Sequence, residues 1–144
     1  MKLISFNVNG LRSRLHQLGE VVTRHNPDVI GLQETKVEDA LFPLEEIHGL
    51  GYQAVYHGQK GHYGVALLYK ADLLASSTGF PHDGQASQKR LVSITLPSAS
   101  GPLTIYNGYF PQGESRDHPE KFPNKRHFYR DLLSQLKTSH SPPD

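Results

Sequence analysis

The chain has 144 residues, the scale of a single domain. It is 36% hydrophobic, carries a formal net charge of +1 and contains no cysteine. This excludes a disulfide framework, a cysteine–zinc site and a thiol nucleophile, and leaves nucleic-acid contacts to locally placed Lys and Arg.

Residues 2–8 are apolar and β-rich, a buried strand, and Asn9-Gly10 signals a turn. From 11 to 25, Leu11, Leu15, Leu18 and Val22 recur at helical spacing. Asn26-Pro27 ends that helix, because proline cannot continue its hydrogen bonding. Residues 28–33 form the next strand, so a strand–helix–strand unit predicts a parallel pair and puts Asn7 and Glu34 at one edge of the sheet. A short helix is expected at 41–49 with Pro43 in its first turn, then strands at 52–57 and 64–69 joined by residues 58–63.

Residues 76–88 read as a polar loop, and 90–96 with 103–109 as a hairpin. Residues 111–125 form a loop long enough to suggest function rather than simple connection. A last helix is expected at 128–136, followed by a polar tail at 137–144 that is expected to be flexible. The expectation is a single sheet with the helices at 11–25 and 128–136 on one face. The other face is left bare for self-association or for a missing half, since a soluble monomer does not tolerate such a face. No stretch reaches the about 18 apolar residues of a membrane helix. The N-terminus lacks the charged start and cleavage site of a signal peptide. A cytoplasmic protein with no membrane partner is therefore expected, and only a family resemblance adds that it is bacterial.

Three strands run into residues suited to metal or phosphate chemistry: Asn7, Glu34 and Tyr109. The carboxyl ends of strands are where crossover-linked sheets assemble their sites. Glu34 suits a hard cation, which takes one or two carboxylates plus substrate phosphate, and in isolation it also suits a solvated strand end. Asn7 in isolation reads first as a turn residue. Tyr109 could stabilise developing charge or be a plain strand-end tyrosine. The segment Gly58-Gln59-Lys60-Gly61-His62-Tyr63-Gly64 is either a nucleic-acid contact loop or a glycine hairpin turn, and does not fit the phosphate-loop pattern. The nine histidines make no zinc pattern, and Lys121, Lys125, Arg126 and Arg130 read first as a solvated face and second as the lining of a nucleic-acid groove.

Taken together, four segments resemble the exonuclease III family of the endonuclease/exonuclease/phosphatase superfamily. They are Ile4-Ser5-Phe6-Asn7-Val8-Asn9-Gly10-Leu11-Arg12, Pro27-Asp28-Val29-Ile30-Gly31-Leu32-Gln33-Glu34-Thr35-Lys36, Gly61-His62-Tyr63-Gly64-Val65-Ala66 and Asn107-Gly108-Tyr109-Phe110-Pro111-Gln112-Gly113. The resemblance implies an α/β fold, one half of a four-layered α/β sandwich, with residues 1–144 as the N-terminal half of the domain. It implies a Mg²⁺- or Mn²⁺-dependent nuclease that cuts duplex DNA at abasic sites and 3′ ends. Glu34 would be a metal ligand, Asn7 would help order the metal site, Tyr109 would be catalytic, and Gln112 and Arg90 would contact DNA. The family's further groups, a Gly-Asp-x-Asn strand, a later Asp and a terminal Asp-His pair, have no counterpart in this sequence. The chain alone is therefore expected to be inactive. The alternatives are a phosphatase or lipid phosphodiesterase of the same superfamily, against which the loop after Tyr109 argues, and a non-catalytic short form that binds DNA or a partner.

Overall fold

The computed structural model describes residues 1–79 and 89–109. In chain order the elements are β1 (Leu3–Asn7), α1 (Leu15–His25), β2 (Val29–Gln33), a 3-10 turn (Asp39–Leu41), α2 (Leu44–Gly49), β3 (Gln53–His57), β4 (Val65–Tyr69), β5 (Ala75–Thr78), β6 (Leu91–Leu96) and β7 (Leu103–Gly108). They form two sheets, one ordered β1-β2-β4-β3 and the other β5-β6-β7.

The strand–helix–strand unit is as the sequence predicts. β1 and β2 pair in parallel with Asn7 opposite Gln33, so Glu34 follows at the same edge. β4 then pairs antiparallel with both β2 and β3. β2 lacks the polar alternation of a one-sided strand because both of its faces are buried. Ile30 and Leu32 join α1, α2 and the 3-10 turn in one core with Leu18, Ile47 and Phe42. Val29, with Val65 and Leu67 of β4, packs on Val92, Ile94 and Leu96 of the second sheet.

α1 begins at Leu15, four residues later than the hydrophobic spacing suggests. The Leu11 N–H is taken by the Thr35 carbonyl at 3.0 Å, and Gly10 turns through φ +100. Leu11 thus enters the core, fully buried, as a turn residue. α1 ends as expected, with Asn26 in the left-handed region and its N–H returned to the Val22 carbonyl.

Two expectations are corrected. Among the described residues there are two sheets rather than one, and the second covers the face of the four-stranded sheet that was expected to be bare. Part of the expected 76–88 loop is strand β5, whose pattern is polar and exposed throughout and so carries no period-2 signal. It is held to β6 by its ladder and by the Ser77–Ser93 hydroxyl pair at 2.7 Å. The expected loop at 111–125, the helix at 128–136, the tail at 137–144 and Gln112 lie outside the described residues. Among the described residues no helix is long and apolar enough to cross a membrane.

Candidate active site

β1 and β2 deliver Asn7 and Glu34 from the four-stranded sheet, and β7 delivers Tyr109 from the three-stranded one. The three side chains meet. Asn7 Nδ2 donates to Glu34 Oε1 at 3.2 Å, and the Tyr109 hydroxyl hydrogen-bonds the same carboxylate. Asn7 Oδ1 accepts the Asn9 N–H at 3.1 Å, so the turn role and the site role of Asn7 hold at once. That bond also fixes the orientation of the amide, which presents its NH₂ group to Glu34.

The loops that carry these residues are strained and interlaced. Among the described residues, Asn9, Glu34, Lys36 and Tyr63 all have positive φ, at 46, 54, 55 and 56°. Such a conformation costs a non-glycine residue on the order of 1–3 kcal/mol and persists only where the surroundings over-determine it. Here the surroundings are backbone hydrogen bonds between three loops. Gly10 N–H donates to Glu34 O at 2.8 Å, Thr35 N–H to Gly64 O at 3.1 Å, and Lys36 N–H to Tyr63 O at 2.9 Å. Gly64 is required at its position. Its φ is +92°, and a Cβ there would come within 2.2 Å of Thr35 Oγ1.

The Tyr109 hydroxyl is the main cause that holds the Glu34 carboxyl below its usual value. Partial burial opposes this, and the Asn7 amide and the Lys36 ammonium add to it. Lys36 Nζ lies 3.5 Å from Glu34 Oε2 and 2.6 Å from Asn9 Oδ1. The carboxylate is therefore ionised at neutral pH, and a cation already stands beside it. Tyr109 is displaced the other way: burial, and then its bond to Glu34, push its phenol above the usual value.

Arg90, which immediately precedes β6, sits between two aromatic rings. Its guanidinium carbon is 4.6 Å from the Tyr63 ring centre and 5.0 Å from that of Tyr109. It also donates to the Tyr109 carbonyl at 3.1 Å, and Tyr109 N–H returns to Arg90 O at 2.8 Å. The resemblance names Arg90 only as a DNA contact, and in this structure it grips Tyr109. Tyr63 and Lys36 lie inside motifs quoted above, but nothing in their residue type singled them out.

A hard divalent cation fits part of this site. Glu34 offers an ionised carboxylate at a strand end, the kind of ligand Mg²⁺ takes singly or in pairs while keeping waters or substrate phosphate. Asn7, with its oxygen committed to Asn9, orients that carboxylate. Among the described residues no three His, Cys, Asp or Glu side chains gather as a complete cage.

The sequence pattern of the Endonuclease/Exonuclease/phosphatase family matches residues 4–144. The chain belongs to that family. It is 54% identical over 140 residues, 97% of its length, to Exodeoxyribonuclease III of Haemophilus influenzae, of which it covers 52%. It is 31% identical over 118 residues, 81% of its length, to the DNA-(apurinic or apyrimidinic site) endonuclease of Dictyostelium discoideum, covering 32% of that protein. Among solved structures it is similar to an AP endonuclease from Archaeoglobus fulgidus, with TM-score 0.84 and 33% identity over 96% of this chain and 52% of that one. It is similar at TM-score 0.85 and 29% identity to the 3′ phosphatase NExo of Neisseria bound to a product DNA hairpin, over 96% of this chain and 52% of that one. This member of the endonuclease/exonuclease/phosphatase family thus spans about half the length of those four relatives, or less. The four-layered sandwich implied by resemblance finds its counterpart in the two packed sheets with helices on the outer face of one.

Proposed function

We propose that the chain carries the metal-ligand half of an exonuclease III-like DNA-repair nuclease, which hydrolyses phosphodiesters at abasic sites and 3′ ends of duplex DNA. The observation that carries this reading is the convergence of an ionised Glu34, a phenol and an amide from two different sheets at one edge. The DNA-directed names of the Haemophilus, Dictyostelium and Archaeoglobus relatives support the substrate class.

Glu34 is the proposed ligand for Mg²⁺ or Mn²⁺, which when bound supplies charge neutralisation at the scissile phosphate. Asn7 holds the carboxylate in place, and Lys36 balances its charge until the metal or a phosphate arrives. Tyr109 keeps its phenol protonated, and its single O–H, given to Glu34 in this structure, could donate to a phosphate oxygen only by leaving that carboxylate. Arg90 holds Tyr109 in place, and a direct DNA contact by Arg90 or Gln112 rests on the family resemblance alone. One carboxylate cannot both hold the metal and activate water, so these residues need further groups to complete the reaction.

Those groups would come from a second segment. β1 and β7, each at the edge of its sheet among the described residues, flank a crevice of about 240 Å³ lined by Leu3, Val29, Gly31, Leu67, Ile105 and Asn107, among others. Leu3 beside it is 52% exposed. Strands added at these edges would cover the crevice, and this replaces the bare sheet face as the proposed seat of a completing half or of self-association.

The test is cleavage of a duplex with one abasic site, in Mg²⁺, by residues 1–144 mixed with the remaining portion of the Haemophilus relative. The expected result is nicking that neither fragment gives alone. Hydrolysis of a sphingolipid or a soluble phosphomonoester instead of the duplex would favour the phosphatase or lipid phosphodiesterase reading. Duplex binding without cleavage of any substrate would favour the non-catalytic one.

A further inference from the structure

Glu34 and Tyr109 meet across the gap between two sheets, so their contact is only as fixed as the spacing of those sheets. Apolar packing between sheets is non-directional and does not by itself set a register to within a hydrogen bond. The residues just before the pair do so.

Asn107 lies on the inner face of β7, opposite Val92, and is 7% exposed. Its Nδ2 donates to two main-chain carbonyls of the other sheet, Leu32 O at 2.9 Å and Ala66 O at 2.8 Å. Carbonyl oxygens only accept, so this end of the amide must be the NH₂ group and Oδ1 must face the other way. There Oδ1 accepts from Gln33 Nε2 at 2.7 Å. Gln33 Nε2 is also 3.1 Å from Ser5 Oγ on β1. One amide of β7 is thereby tied to β2 and β4 directly, and through Gln33 to β1. Gly31 makes room for it: a Cβ at that position would come 3.2 Å from both Cγ and Oδ1 of Asn107.

We propose that Asn107 and Gln33 form an inter-sheet brace that positions the Tyr109 phenol on the Glu34 carboxylate. Gln33 immediately precedes Glu34, and Asn107 is two residues before Tyr109. The brace therefore acts one and two residues from the contact it fixes. Both are positioning residues, since neither side chain bonds Glu34 or Tyr109 and both act through the strands that carry them. The Asn107 amide is paired at both its oxygen and its nitrogen, as a buried polar group must be to specify a single arrangement. As a device for hydrolysis this rests on the nuclease reading above, whereas as geometry it stands without it.

The experiment uses the 144-residue chain with ¹³Cζ-labelled tyrosine. Gln33→Met keeps the volume and removes the Gln33–Asn107 bond, while Asn107 retains both carbonyls. Ser5→Ala removes only the Ser5 bond. The expected result is that in Gln33→Met the Tyr109 Cζ resonance moves toward the position it takes in Glu34→Ala, while Ser5→Ala leaves it at the wild-type position. Mn²⁺ affinity should fall about tenfold in Gln33→Met, the scale on which partners behind a metal ligand act. In the unsubstituted chain, the Asn107 side-chain amide protons should exchange far more slowly than those of an exposed asparagine.

A folded Gln33→Met chain with Tyr109 Cζ unmoved would overturn the brace. So would Asn107 amide protons exchanging at the solvent rate in the unsubstituted chain, a reading that needs no variant to fold. Failure of the unsubstituted chain to bind Mn²⁺ would instead count against the nuclease reading, and the Cζ measurement would still decide the brace.

Discussion

The hydroxyl of Tyr109 donates to the carboxylate of Glu34 although the two residues leave strands of different sheets. That bond is the largest influence on the ionisation of Glu34, so Tyr109→Phe should raise the Glu34 pKa toward its ordinary value. A ¹³C titration of the Glu34 side chain reads this directly. An unshifted midpoint in Tyr109→Phe would leave the bond without consequence.

The same pair sets two opposite pH dependences. A carboxyl whose folded pKa is depressed contributes stability that is present above its unfolded pKa and is lost as pH falls through the folded value. Tyr109 is raised, so its contribution is present below the ordinary tyrosine value of 10.0 and is lost as pH rises through the folded one. Urea midpoints measured across pH should therefore fall at both ends. In Tyr109→Phe, both the acid-side loss below the usual glutamate range and the alkaline-side loss should be smaller than in the unsubstituted chain.

Much of this site was legible in the chain, and for a physical reason. Asn7 and Glu34 follow apolar strands joined by a helix, and that connection alone puts both at one edge of a parallel pair. Tyr109 could be named from its motif. Its meeting with Glu34 depends on a second sheet, and that sheet was hidden because β5 is polar throughout and looks like loop. Leu11 kept helical spacing yet sits in a turn, because the Thr35 carbonyl claims its N–H and apolar spacing does not report such bonds. Lys36, Tyr63 and the Asn107–Gln33 pair are set by loop crossings and sheet spacing, which no local pattern records.

Gly64→Ala should destabilise the chain by about 2 kcal/mol or more, because it combines a left-handed backbone with a buried clash against Thr35. Gly61→Ala has a comparable positive φ of +75° and open space around it, so it isolates the backbone cost. Chemical denaturation of the two should give the larger loss for Gly64→Ala. Equal losses would mean that the Thr35 contact does not matter.

Arg90→Met preserves an apolar stem between the Tyr63 and Tyr109 rings and removes the charge. Each cation–ring contact is worth about 0.5–2 kcal/mol, so a stability loss of about 1–3 kcal/mol is expected. Arg90→Lys should recover only part of it, since an ammonium cannot both stack on the rings and reach the Tyr109 carbonyl as the planar guanidinium does. Full recovery by lysine would reduce Arg90 to a simple charge.

Glu34 is proposed to hold a divalent cation at the meeting point of the three strand ends. Titrating the chain with Mn²⁺ and recording which side-chain resonances broaden tests it most directly. Broadening should begin at Glu34, the Asn7 amide and the Tyr109 ring, the Lys36 resonances should shift as Nζ leaves Glu34, and Glu34→Gln should remove the effect. Broadening centred elsewhere, or unchanged in Glu34→Gln, would contradict it.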